Sequence, residues 1–257
     1  MHPVLLDLGF FKIHFYGFFM AVGFFCAIML ARQLAKTYNI APQLIMDLSL
    51  QIIIGAIVGS KLLFYLVNLN TYLANPADII RDLRVGFIFF GGFILAVFLS
   101  LRFAKKHNLP LGKTADVLAP AIPLGHAFGR LGCTMAGCCY GRPCNHEALY
   151  TLTFADPQSA ARPLGTPLYA TQPISAVFLF ILAGLLLTLF YLWPKRKPGT
   201  LLLLYGALYS IFRFCIEFLR GDPRGHVWHL STSQIIAIPV CLVCLVLLVK
   251  PKRAHDR

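Results

Sequence analysis

Gly125-His-Ala-Phe-Gly-Arg-Leu-Gly-Cys-Thr-Met-Ala-Gly-Cys-Cys-Tyr-Gly-Arg142 sets one arginine, Arg130, in a run of glycines and cysteines, inside a chain otherwise built from apolar segments long enough to cross a bilayer. A guanidinium at membrane depth costs about 3 kcal/mol or more unless it is paired or wetted. Two readings stand for Arg130: a site for an anionic headgroup, or an arginine near the outer end of a span that snorkels to the interface.

The rest of the chain fixes the class. With 257 residues, 58% of them hydrophobic and only 13% charged, and a mean hydropathy of +0.72, the sequence is too apolar for an ordinary soluble domain. The expected fold is all-α: a single integral membrane domain over residues 1–257. About seven spans are predicted, at 13–35, 48–69, 86–104, 117–136, 173–193, 200–219 and 232–249. The first lacks a basic leader and is followed by further spans, so it is expected to be retained rather than cleaved. The fourth is the weakest, because Pro120, Pro123, Gly125, Gly129 and Gly132 interrupt it. Such backbone is tolerated in a bilayer only where it is buried in protein or lines a wet cavity.

Charge placement tests that count. Arg32 and Lys36 follow the first span. Arg102, Lys105, Lys106 and Lys113 lie between the third and fourth, Lys195, Arg196 and Lys197 between the fifth and sixth, and Lys250, Lys252, Arg253 and Arg257 form the tail. With the N-terminus outside and the C-terminus cytoplasmic, all four clusters fall on the cytoplasmic side, as the positive-inside rule requires. The net charge of +13 is therefore topogenic. The basic residues are divided among loops, so nucleic acid is not an expected partner. Three connections are left outside, about 70–85, 137–172 and 220–231. Tyr72 and Trp228 in them are candidate interface anchors.

The sixth predicted span carries the clearest polar pattern. Tyr209, Arg213, Glu217 and Arg220 follow one another at helical spacing on one face. Arg213 and Glu217 are either a buried structural ion pair or part of an electropositive cavity shared with Arg130 and Arg142. Arginines with one carboxylate suit a phosphodiester, bidentate at the phosphate and with an acidic group left to orient a proton acceptor. In the first span, His14 is a candidate proton acceptor and Tyr16 a donor to a lipid phosphate or carbonyl. In the second, Gly55 and Gly59 form a small-xxx-small pattern for close helix packing, and Lys61 is a candidate binding residue.

Of eight cysteines, Cys133, Cys138, Cys139 and Cys144 cluster at the outer end of the fourth span. The separated Cys-x2-Cys pairs of structural zinc are missing, so no metal is expected. A disulfide suits an oxidising compartment, with Cys144 the natural partner for Cys138 or Cys139. A free thiol near Arg130 and Arg142 would instead be acidified.

Taken together, Gly129-Arg-Leu-Gly-Cys133, Gly137-Cys-Cys-Tyr-Gly-Arg142, His14-Phe-Tyr-Gly17 and Tyr209-x3-Arg213-x3-Glu217-Phe-Leu-Arg220 resemble the prolipoprotein diacylglyceryl transferase family over essentially the whole chain. The resemblance implies a seven-span enzyme of the bacterial inner membrane. Such an enzyme moves diacylglycerol from phosphatidylglycerol to the lipobox cysteine thiol of a prolipoprotein, with membrane lipids as its surroundings and no cofactor. It implies that Arg130 and Arg213 surround the phosphate of the departing headgroup. Glu217 and His14 are the groups left to handle the proton, and Tyr16, Lys61, Gly141, Arg142, Gln172, Tyr209 and Arg220 bind substrate. There are departures. Phe90, before Gly91-Gly92, stands where better-known members have histidine or tyrosine. Cys133 and Cys138 replace an asparagine and a glutamate, and the segment around Gln172 reads Ala-Thr-Gln-Pro-Ile-Ser. The alternatives are a divergent paralogue acting on another phospholipid, and a lipid-binding or transport protein of the membrane.

Overall fold

The computed structural model describes residues 1–9, 12–84, 86–144, 150–223 and 225–250. Lys252, Arg253 and Arg257 of the basic tail lie outside the described residues. Nine α-helices are found among the described residues: α1 Phe15–Ala35, α2 Pro42–Val67, α3 Leu69–Ala74, α4 Asp78–Arg81, α5 Phe89–Lys106, α6 Leu111–Ala136, α7 Thr171–Leu192, α8 Thr200–Glu217 and α9 Thr232–Val249. Three short antiparallel hairpins complete the chain: β1 Val4–Asp7 with β2 Lys12–His14, β3 Thr151–Thr153 with β4 Pro167–Tyr169, and β5 His226–Val227 with β6 Leu230–Ser231.

Helix is the form long apolar segments must take in lipid, because it satisfies every backbone polar group within the segment. Five stretches are long and apolar enough to cross a membrane: Phe15–Tyr38, Pro42–Val67, Thr171–Leu192, Thr200–Leu219 and Thr232–Val249. The protein is a polytopic membrane protein. The third and fourth predicted spans are also long helices, but α5 ends on Arg102, Lys105 and Lys106, and α6 carries Lys113, Asp116 and Arg130. Neither is among the five stretches long and apolar enough to cross a membrane.

Backbone contacts divide the chain into two compact units, residues 32–114 and residues 1–31 with 115–257. In the first, α2 lies against α5 through small residues. A methyl group on Gly59 would strike the Gly91 carbonyl, and one on Gly92 would strike Ser60 and the Ala56 carbonyl. The Ile88 amide donates to the Ser60 carbonyl at 3.1 Å and fixes where α5 begins. Gly55 and Gly59 thus do the packing expected of their spacing. Tyr72, a candidate interface anchor, is instead buried at 6% exposure, with its hydroxyl donating to Asp82 at 2.8 Å.

In the second unit α6 runs unbroken through Pro120 and Pro123. The glycines that weakened its prediction are contact points for α1. A Cβ on Gly23 would stand 2.8 Å from the Gly125 carbonyl oxygen, and one on Gly132 would meet Tyr16 and Phe19. Asp116, at 0% exposure, holds α6 to the connection between α7 and α8: it accepts from Arg196 at 3.3 Å and from the Leu201 amide at 2.8 Å. Arg196 also donates to the carbonyls of Phe190 and Trp193, both at 2.8 Å. This cation is therefore a buried structural group and not only a loop charge. Ser231 caps α9 in a reciprocal box with Gln234, which ends the β5–β6 hairpin and starts the helix.

Candidate functional site

Three helices of the second unit supply the polar groups. On α6, Arg130 donates its Nε–H to His126 Nε2 at 3.3 Å, one helical turn back. The His126 ring meets the Tyr209 ring of α8 edge-on, with centroids 5.3 Å apart, and lies within electrostatic range of both Arg130 and Arg213. On α8, Arg213 pairs with Glu217, and its other terminal nitrogen donates to Ser233 of α9 at 2.8 Å. Arg130 is in turn within electrostatic range of Tyr209, Cys133, Cys139 and Arg220. The four polar residues read from α8 therefore join the α6 arginine in one constellation, and the Arg213–Glu217 ion pair is part of it.

Arg220 lies just past the end of α8 and forms a bidentate pair with Asp222, at 3.0 and 3.1 Å. Burial disfavours its charge, but the Asp222 carboxylate and the Cys139 sulfur more than reverse this, so its pKa stands above the usual guanidinium value. Gly141 is clamped between two strands of backbone. Its amide donates to the Tyr169 carbonyl at 3.2 Å, and the neighbouring Arg142 amide donates to the Leu219 carbonyl at 2.8 Å. A Cβ at Gly141 would overlap Tyr169, so this position is closed to any side chain. The Arg142 side chain is exposed and lies over the Tyr169 ring at 5.8 Å.

The cysteines do not pair as expected. No disulfide joins Cys138 to Cys144 in the structure, and Cys144 Sγ donates to the Pro167 carbonyl at 3.5 Å. Cys138 turns instead toward Cys133 and Cys139, and the three sulfurs lie within 4.8 Å of one another. The cause is local. Gly137 and Cys139 both take the left-handed conformation, at φ 74° and 63°, curling the chain back over the end of α6. For a non-glycine residue that costs on the order of 1–3 kcal/mol. Two hydrogen bonds from the start of α7 hold it, from Thr171 Oγ1 to the Cys139 carbonyl at 2.8 Å and from Gln172 Nε2 to the Cys138 carbonyl at 3.0 Å. Gln172, at 0% exposure, thus sits behind the cysteine turn as its brace. Hydrogen bonds from Cys133 and Cys138 pull the Cys139 thiol well below the ordinary range against its burial, and Arg220 and Arg130 act in the same direction. Hydrogen bonding to Cys133 and Cys139 pushes Cys138 up.

His14 and Tyr16 are both exposed. With Pro3, Gly17, Ala136 and Cys138 they line a cleft of about 480 Å³. Lys61 belongs to the other unit. Its ammonium donates to the Asp82 and Gly86 carbonyls and lies about 5 Å from the ring centroids of Phe64, Tyr65 and Phe87.

Against known proteins, the sequence profile described as prolipoprotein diacylglyceryl transferase matches residues 3–250. The chain belongs to the prolipoprotein diacylglyceryl transferase family. It is 37% identical over 241 residues to a phosphatidylglycerol–prolipoprotein diacylglyceryl transferase of Clostridium tetani, covering 93% of each chain. It is 35% identical to the second such transferase of Clostridium perfringens, covering 93% of this chain and 91% of that one. A cyanobacterial relative, from Trichormus variabilis, is 32% identical over 92% of this chain and 84% of its own.

Within that family frame, the residues that sequence reasoning passed over are His126, Ser233 and Asp222. His126 is four residues before Arg130, a spacing that puts the two side chains on one helix face, and that signal was available. Ser233 and Asp222 had none, since each acts through a tertiary contact. Phe90 is 39% exposed on α5, where its ring stacks edge-on to Phe89. The glycines after it are engaged with α2, so this segment keeps its packing role without a proton-handling side chain.

Proposed function

We propose that this chain transfers the diacylglyceryl group of phosphatidylglycerol to the lipobox cysteine thiol of prolipoproteins. It would do so in the bacterial inner membrane as a single seven-span domain with its N-terminus outside, α5 and α6 being the two remaining spans. The observation that carries this reading is the placement of His126 against Arg130 and within electrostatic range of Arg213, in a chain of this family. The thiolate attacks the glyceryl carbon bonded to phosphate oxygen. An S–C bond forms, the C–O bond breaks, and glycerol phosphate leaves with the electron pair. Charge grows on the phosphate as that bond breaks. Two fixed guanidinium groups therefore stabilise the transition state more than the ground state.

In this scheme Arg130 and Arg213 hold the phosphate. Glu217 and Ser233 orient Arg213, His126 orients Arg130, and Asp222 orients Arg220 toward the same charge. Tyr209 closes the wall between α6 and α8. Tyr16 and Arg142, both exposed, suit contact with the lipid headgroup region and the arriving peptide. His14, at the cleft lined by Tyr16 and Cys138, is placed for the thiol proton, whereas Glu217 is already engaged by Arg213. Gly141 and Gln172 shape the site from behind. Lys61 serves the loop of its own unit and has no step here.

A reconstituted assay tests the reading. Purified protein, phosphatidylglycerol vesicles and a lipobox-cysteine peptide are expected to give a peptide heavier by one diacylglyceryl group. Arg130→Ala and Arg213→Ala should each lower the rate by roughly 100- to 1,000-fold, the usual effect of removing one charge-stabilising donor. Unmodified peptide from the well-folded protein across a panel of phospholipid headgroups would overturn the assignment.

A further inference from the structure

Sequence spacing gave no reason to expect a metal at the cysteines, but the turn after α6 gathers three of them. We propose that Cys133, Cys138 and Cys139 form a three-thiolate site for zinc, with a fourth position that takes the substrate's lipobox thiol; this rests on the transferase reading above.

Geometry comes first. In a tetrahedral site with Zn–S bonds of about 2.3 Å the sulfurs stand about 3.8 Å apart, and these three already lie within 4.8 Å of one another. Small changes of side-chain torsion close them on one ion. The sulfurs do not depend on a floppy loop: Thr171 and Gln172 fasten the carbonyls of Cys139 and Cys138. Cys133 is anchored in the last turns of α6 and is buried.

Charge is the second argument. Three thiolates around Zn²⁺ leave a net charge of about −1, which needs a cation beside it when taken out of water. Arg130 faces Cys133 and Cys139, and Arg220 faces Cys139. Those arginines would repel a bare cation, but they suit an anionic zinc–thiolate centre.

The cluster is also accessible. A structural zinc site is closed by four protein ligands, while a catalytic one has three and keeps one position for water or substrate. Three cysteines converge here, and Cys138 reaches the wall of the cleft that His14 and Tyr16 also line. Transfer to sulfur needs a thiolate, and Phe90 cannot accept a proton. Coordination to zinc deprotonates a thiol outright. The step balances without an oxidant: the thiol binds zinc and gives its proton to His14 at the wall of the same cleft. The bound sulfur then forms its bond to the glyceryl carbon as the C–O bond breaks, and the released phosphomonoester carries away the electron pair. The resulting thioether is a poor zinc ligand and dissociates.

The full-length protein in detergent, purified under reducing conditions, is expected to carry about one zinc per chain by elemental mass analysis. After exchange with Co²⁺ it should show sulfur-to-metal charge-transfer absorption, and adding lipobox peptide should shift the cobalt bands. Serine at Cys133, Cys138 or Cys139 should weaken metal binding by at least about tenfold, whereas Cys144→Ser should leave it unchanged. In the unsubstituted chain zinc should also protect those three thiols from alkylation, a readout that does not depend on the folding of any variant. No zinc, and no cobalt or cadmium uptake by the reduced protein, would overturn the proposal. So would a disulfide among the three cysteines in the active protein. A chain verified as metal-free that still lipidates the peptide at full rate overturns the zinc site but leaves the transferase reading standing. A chain that binds zinc yet lipidates no peptide overturns the transferase reading and the thiol-activating role with it.

Discussion

At the residue scale the informative contact is His126 with Arg130. A histidine that accepts from a guanidinium with Nε2 carries its own proton on Nδ1, so it orients Arg130 without adding a second positive charge beside it. His126→Ala should lower kcat by about 10- to 100-fold with KM nearly unchanged, because a misplaced guanidinium costs more in the transition state than in binding. His126→Gln keeps an acceptor at that distance and should recover part of the rate. Steady-state kinetics on both variants check this, and a loss confined to KM would contradict the positioning role. The histidine was legible as a neighbour of Arg130, since the two are one helical turn apart. Its second contact, with Tyr209, was not, because nothing in a linear pattern says which helices face each other. The cysteines make the same point: their clustering was plain, but not that left-handed turns at Gly137 and Cys139 bring Cys138 and Cys139 to Cys133 rather than to Cys144.

At the scale of elements, the structure depends on a few close approaches that small residues permit and on the buried Asp116–Arg196 pair. Gly59 and Gly91 bring α2 and α5 together until a methyl group would meet backbone. Gly59→Val should therefore cost at least about 1–3 kcal/mol through overpacking, seen as a lower melting temperature in detergent, while Gly184→Ala on α7, where a Cβ meets nothing within 4 Å, should leave it unchanged. Asp116→Ala strands the Arg196 charge in a buried position. The expected loss is about 3–5 kcal/mol, with Asp116→Ala/Arg196→Met less damaged than Asp116→Ala alone. Helix existence and approximate limits were readable from hydropathy, and the small-xxx-small motif correctly announced packing. The prolines and glycines of α6 misled in part: they suggested a broken span, yet the helix is continuous, and its glycines are where α1 approaches. A glycine that breaks a helix and one that admits a neighbour look alike in sequence. Only the presence of a partner helix decides between them.

At the scale of the whole molecule the arrangement of charge makes the proposed topology testable. Arg32 and Lys36, the cations around the α5–α6 connection and Lys195 to Lys197 must share one side if the chain crosses about seven times, and Arg213 and Arg220 at the end of α8 then lie toward the other. Five helices are apolar enough to span unaided. On the proposed topology α5 and α6 cross as well, supported by packing against neighbouring helices rather than by hydropathy alone. A single cysteine placed at Trp228, which is 95% exposed, in a background lacking the other reactive thiols, should be labelled by an impermeant maleimide in intact spheroplasts. One placed at Lys105 should be labelled only after the membrane is opened. Labelling of both sites from outside would mean an even number of crossings between them, which leaves α6, α7 and α8 unable all to span and would overturn the seven-span topology. The proposed headgroup site and the basic loops are thus tested together: for the proposed transfer, the same charge distribution that orients the chain must leave Arg130, Arg213 and Arg220 on the side where a lipobox cysteine arrives.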